Sequence, residues 1–181
     1  MRTTALITTF VALTGLFCTG NTRQPASAAT VKWPKEATDT LTEDELVQLV
    51  NALPRLRAAL KAASWTNPAT VKEGESQINT LNALVESMKV PAVVESLKAV
   101  GGWAKLRPTL YKVFAATAAL VIDRASPEMI ERMKQDTTVA GKRSLADYEF
   151  FKVACTQIPE GNKQLVARYQ EQLQPLGSLG H

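Results

Sequence analysis

The stretch that decides the fold is residues 109–122, TLYKVFAATAALVI: fourteen residues with one charge, Lys112, and four alanines. At 100° per residue, Leu106, Leu110, Val113, Phe114, Thr117, Leu120 and Val121 share one broad face, with Trp103 on the same side at the N-terminal end. Tyr111, Ala118 and Ile122 widen that face and leave a narrow strip of Thr109, Lys112, Ala116, Ala119 and Asp123. A helix apolar around most of its circumference belongs at the centre of a helical domain. It is too short, and too interrupted by Lys112, to span a bilayer. The expectation is a buried central helix over about 103–124, its alanines letting neighbouring helices come close.

Working outward, Gly101-Gly102 closes a short preceding helix, 91–100, which Val90-Pro91 separates from an earlier one. That earlier helix is expected from Asn67 as N-cap, with Pro68 at its first position, to about Met88, weakened by Gly74 in its first half. Before it, Thr42-Glu43-Asp44-Glu45 reads as a capping box opening a helix over 43–62, in which Leu46, Leu49, Val50, Leu53, Leu56 and Leu60 recur at helical spacing and Pro54 is expected to impose a bend. Beyond the centre, Ser126-Pro127-Glu128 starts a helix to about Gln135, and DTTVAGKR (136–143) reads as a loop. Ser144 caps a helix to about Gln157, Pro159-Glu160-Gly161 makes a turn, and a last helix stops at Pro175 before a Gly-rich tail, 176–181. No segment alternates with the period of a strand. The fold class is all-α: one domain over 41–175, with about seven helices around the central one, preceded by a polar lead-in over 29–40 in which Trp33-Pro34 reads as extended.

The first 28 residues have the form of an export signal. Arg2 supplies the positive start, 5–17 is an apolar run, and Ala26-Ser27-Ala28 is an A-x-A cut site, with Ser27-Ala28-Ala29 as the second choice. A lipoprotein cut at Cys18 is the alternative, opposed by the bulky Phe17 in front of it. Losing Arg2 and Arg23 leaves 19 basic residues of the 21 against 17 acidic ones, a net charge of +2. No cluster of Lys and Arg interleaves with aromatics, so nucleic acid is not an expected partner. The mature chain keeps one cysteine, Cys155, in the apolar pattern Phe150-Phe151-Val153-Ala154. That rules out an internal disulfide and reads as a buried small hydrophobe, with intermolecular pairing or a reactive thiol as the alternative.

Histidine is the sharpest exclusion, because the chain has one, His181, at its last position. Ser-His and Cys-His nucleophiles and His metal sites lose their usual participant, and no catalytic residue, metal or cofactor is expected. What remains for a binding site lies on the central helix. Arg107 and Arg124 stand on or beside its apolar face, where a guanidinium can hold a carboxylate or phosphate, though near helix ends it can equally reach water. Lys112 and Asp123 share the polar strip three turns apart, too far to pair, and read most simply as solvated. The candidate ligand-binding set is Trp103, Arg107, Lys112 and Arg124. The paired carboxylates at helix starts (Glu43/Asp44/Glu45, Glu128/Glu131, Asp147/Glu149) are accounted for by the helix dipole.

Val100-Gly101-Gly102-Trp103 leading into a long Ala-rich helix, with the opening leucines Leu41, Leu46, Leu49 and Leu53, resembles small exported all-helical bacterial proteins of uncharacterised function. The resemblance implies export and an all-helical fold, with no activity to carry over. The expected role is a non-enzymatic exported protein, periplasmic or extracellular, that binds an envelope or extracellular protein or a small ligand. Two alternatives stand beside it. One is a histidine-independent helical enzyme of chorismate-mutase-like type, drawing on Arg55, Arg57, Lys61, Arg107, Arg124 and Glu95. The other is a helical carrier of an apolar ligand.

Overall fold

A computed structural model describes residues 32–67, 77–177 and Leu179. The expected leader, Cys18, Pro68, Gly74 and His181 lie outside the described residues. These residues form nine α-helices and one 3₁₀ turn, with no strand among them: α1 (Lys35–Thr38), α2 (Glu43–Ala62), α3 (Gln77–Ser87), α4 (Pro91–Ser96), the 3₁₀ turn Lys98–Val100, α5 (Gly102–Asp123), α6 (Pro127–Gln135), α7 (Val139–Cys155), α8 (Glu160–Arg168) and α9 (Gln170–Gly177). The all-α expectation holds. The helix count exceeds seven because Lys35–Thr38 adds a helix and Tyr169 divides the last one in two.

The central position of α5 also holds: α1, α2, α3, α4, α7 and α8 all pack on it, while α6 rests on α7 and α9 on α2 and α8. Its orientation departs from the helical-wheel reading. Thr109, Lys112, Ala116 and Ala119, assigned to the outward strip, are buried, whereas Phe114, Thr117, Leu120 and Val121 are only partly so. The small alanines are where helices can approach most closely, and that proximity outweighs the larger apolar area on the other side of the wheel.

Residues 32–42 depart further from expectation. Instead of an extended polar lead-in, they form a strap seated in the core. Trp33 is 7% exposed, its ring lies 5.8 Å from that of Phe151, and its Nε1–H donates to the Ala154 carbonyl at 3.0 Å. Ala37 is fully buried. Asn162, with no exposed surface, brackets the end of the strap: its Oδ1 accepts from Leu41 N at 2.8 Å and its Nδ2 donates to the Asp39 carbonyl at 2.9 Å.

Local chemistry explains the element boundaries. The capping box at Thr42 and Glu45 forms as expected, and α2 continues through Pro54 without interruption. The α2 terminus closes with Ser64 at φ 50° and Trp65 N donating back to Leu60 O at 3.0 Å, the left-handed exit usually given to glycine. The expected loop 136–143 is mostly helix, because Thr138 rather than Ser144 caps α7. Its Oγ accepts from Gly141 N at 3.0 Å and donates to Asp136 Oδ1 at 2.6 Å.

Candidate functional site

Of the four residues nominated from sequence, Arg107 is the most richly partnered. It reaches from α5 to two other helices, with Nε donating to Glu86 Oε1 of α3 at 2.6 Å and Nη1 to Glu36 Oε1 of α1 at 2.9 Å. Tyr111, one turn further along α5, donates its hydroxyl to the same Glu86 oxygen at 2.8 Å and sets its ring 4.9 Å below the guanidinium carbon. The ionisation of each partner follows. The Glu36 carboxyl is held low by its place at the α1 amides and then by Arg107. At Glu86, burial works in the opposite direction, but the hydrogen bonds from Arg107 and Tyr111 outweigh it and lower the value. Burial, then Glu86, pushes the Tyr111 phenol up to about 12. This is a clamp of one guanidinium between two carboxylates that joins three helices.

Lys112 overturns the solvated-strip reading. It is 7% exposed, and its ammonium has three acceptors for its three N–H bonds: Glu45 Oε1 at 2.8 Å, Glu45 Oε2 at 3.0 Å and the Thr40 carbonyl at 2.9 Å. No donor is left over for a ligand. Glu45 serves twice, since its Oε2 also accepts from Thr42 N at 2.9 Å within the capping box. Burial tends to raise its carboxyl, and Lys112 and the Thr42 amide together hold it below the usual range.

Trp103 is buried in the core, and its Nε1 has no hydrogen-bond partner; neither does the buried Oδ1 of Asn82. Arg124 is exposed at the C-terminal end of α5. Seventeen residues of helix set it about 25 Å from Arg107, so the two arginines do not converge. Asp123 pairs with Lys163 of α8 at 2.8 Å. Arg55, Arg57 and Lys61 are exposed along α2, and exposed Glu95 pairs with its neighbour Lys98 at 2.6 Å. An open depression of about 300 Å³ beside the start of α5 is lined by Gln48, Asn51, Val100 and Lys105 and includes none of the four nominated residues. Among the described residues no group of three or more His, Cys, Asp or Glu side chains is placed to hold a metal ion.

Sequence reading found the two cations that matter, Arg107 and Lys112, but missed their partners. Glu36 falls in the expected lead-in, the capping box accounts for Glu45 without a cation, and no sequence pattern singles out Glu86. The Asn162 bracket spans 121 positions of sequence to Leu41, a pairing that no local pattern announces. The surface signal is apolar instead: Met129 of α6 and Phe150 and Val153 of α7 are exposed, Val153 at 67%. Among the described residues no helix is long and apolar enough to cross a membrane. Set against known proteins, the chain matches no family model, no curated protein and no solved structure.

Proposed function

We propose that this chain is an exported helical protein of the periplasm or cell exterior that binds an envelope or extracellular protein without catalysing a reaction. The observation that supports this most is the closure of the Lys112 ammonium on Glu45 and Thr40. Two of the charges that sequence offered for small-ligand chemistry, Arg107 and Lys112, are spent on holding helices together, and exposed apolar side chains on α7 are left for a partner to cover. Against the chorismate-mutase-like alternative, Arg55, Arg57, Lys61 and Arg124 are exposed, and Arg107 is engaged by Glu86 and Glu36. The test combines cell fractionation and N-terminal sequencing with photo-crosslinking from a probe at Val153. The expected result is a processed N-terminus at residue 29 or 30, in the envelope or medium, and a discrete crosslinked protein lost on Phe150→Glu. Retention in the cytoplasm with an intact N-terminus, or a mutase or hydrolase activity in the pure protein, would overturn it.

A further inference from the structure

We infer that the depression beside the start of α5 is a binding site for a free peptide C-terminus, with Lys105 taking the carboxylate and Gln48 and Asn51 the last amide. Three elements meet there: α2 supplies Gln48 and Asn51, the 3₁₀ turn supplies Val100, and α5 supplies Lys105. Gln48 and Asn51 stand three positions apart, which makes them neighbours on one face of α2. All three polar side chains are exposed, and none makes a hydrogen bond or ion pair to another described residue. In this they differ from Arg107 and Lys112, which are tied to carboxylates. The acid nearest Lys105 in sequence, Glu95, is already paired with Lys98 at 2.6 Å, and α5 has no acid in its first turn. The stem of Lys105 lies against Gly101, whose missing side chain leaves it room: an added Cβ would be 2.7 Å from Lys105 Cδ.

The donor set selects the ligand. An ammonium has three N–H donors and no acceptor, so Lys105 calls for an anion. Among the described lining residues it is the one cation, and its single charge matches one carboxylate. Each carboxamide offers both an N–H donor and a C=O acceptor, which is what a peptide group requires. Val100 gives an apolar edge for a small side chain, and no described lining residue is aromatic, as stacking a base would need. A chain terminus presents these groups together, with carboxylate, side chain and amide in one residue. The volume of about 300 Å³ is at the small end of ligand sites, which run from roughly 300 to 1,000 Å³. That suits a chain end rather than a long segment. Nothing in the site depends on the export reading.

The test is a titration of the isotope-labelled full chain with N-acetyl-dialanine, read by NMR from the side-chain amide resonances of Gln48 and Asn51. The free acid should shift both resonances saturably, and the C-terminal amide of the same peptide should bind at least about tenfold more weakly. Lys105→Met should abolish that preference while leaving the melting temperature unchanged, since Lys105 is exposed. Lys142→Met, an exposed cation of α7 outside the depression, should keep it. Equal binding of acid and amide by the wild-type chain, or a Lys105→Met variant that still prefers the acid, would overturn the inference. So would acetate or inorganic phosphate binding as tightly as the peptide, because either would mark a site for small anions alone. Saturable shifts that leave Gln48 and Asn51 unmoved would place the peptide elsewhere and overturn it as well.

Discussion

At the scale of single residues, the buried polar side chains carry the sharpest predictions. Lys112→Met leaves Glu45 facing the Thr40 carbonyl without a cation between them, and should destabilise the fold by about 2–3 kcal/mol in urea denaturation. Adding Glu45→Gln should recover part of that loss, since the remaining group is then neutral. Asn162→Ala removes the acceptor for Leu41 N inside the core and should cost about 2–3 kcal/mol by the same measurement. Ser64 is the opposite case. It sits at φ 50° in the exit turn of α2, so Ser64→Gly should raise stability by about 0.5–1 kcal/mol. Gly141 accounts for one misreading. It suggested a loop, yet it is helical, and its missing Cβ makes room for the Asp136 side chain folded over the start of α7. Gly141→Ala should therefore lower the melting temperature although alanine favours helices.

At the scale of elements, what sequence disclosed and what it hid divide along a physical line. Helices with strong local signals were legible. The Thr42–Glu45 box places the start of α2 correctly, Ser126-Pro127 places α6, and Gly101 at φ 98° marks the entrance to α5. Hidden features were those decided by tertiary contact. The four-residue α1 is too short to hold itself in water and exists because it packs on α5 and is tied by Glu36 to Arg107. The burial of the Thr109–Lys112–Ala116–Ala119 strip was hidden for the same reason: helical periodicity reports where apolar area lies, and Lys112 disguised a buried face as a wet one.

At the scale of the molecule, the ion pairs set the response to acid. Glu36, Glu45 and Glu86 all titrate below the ordinary carboxylate range, so the folded form binds fewer protons than the unfolded one. Their contribution is complete above the unfolded value near pH ~4.3 and is lost as pH falls through the folded values. The melting temperature should be level from about pH 7 to 5 and drop below about pH 4. Arg107→Met should make that drop shallower, because Glu36 and Glu86 then lose the partner that depresses them; an unchanged slope would show that the clamp does not govern acid stability. Burial, with Asp123 as the second cause, pushes the Cys155 thiol up to about 12. It should therefore resist thiol reagents until the domain unfolds.

The bracket from Asn162 to Asp39 and Leu41 also bears on the order of folding. Its hydrogen bonds join positions 123 and 121 apart, and the Trp33–Ala154 bond spans 121. Closing a loop of that length costs about 4 kcal/mol of chain entropy, and such non-local closure slows folding relative to a bundle of neighbouring hairpins. Synthesis delivers the strap first and its partners nearly last. The earliest residues of the domain can dock on α5 through Glu36 and Thr40, but they gain their Trp33 and Asn162 fastenings only once α7 and α8 exist, and a chain stopped short of residue 162 lacks the bracket at Asp39 and Leu41.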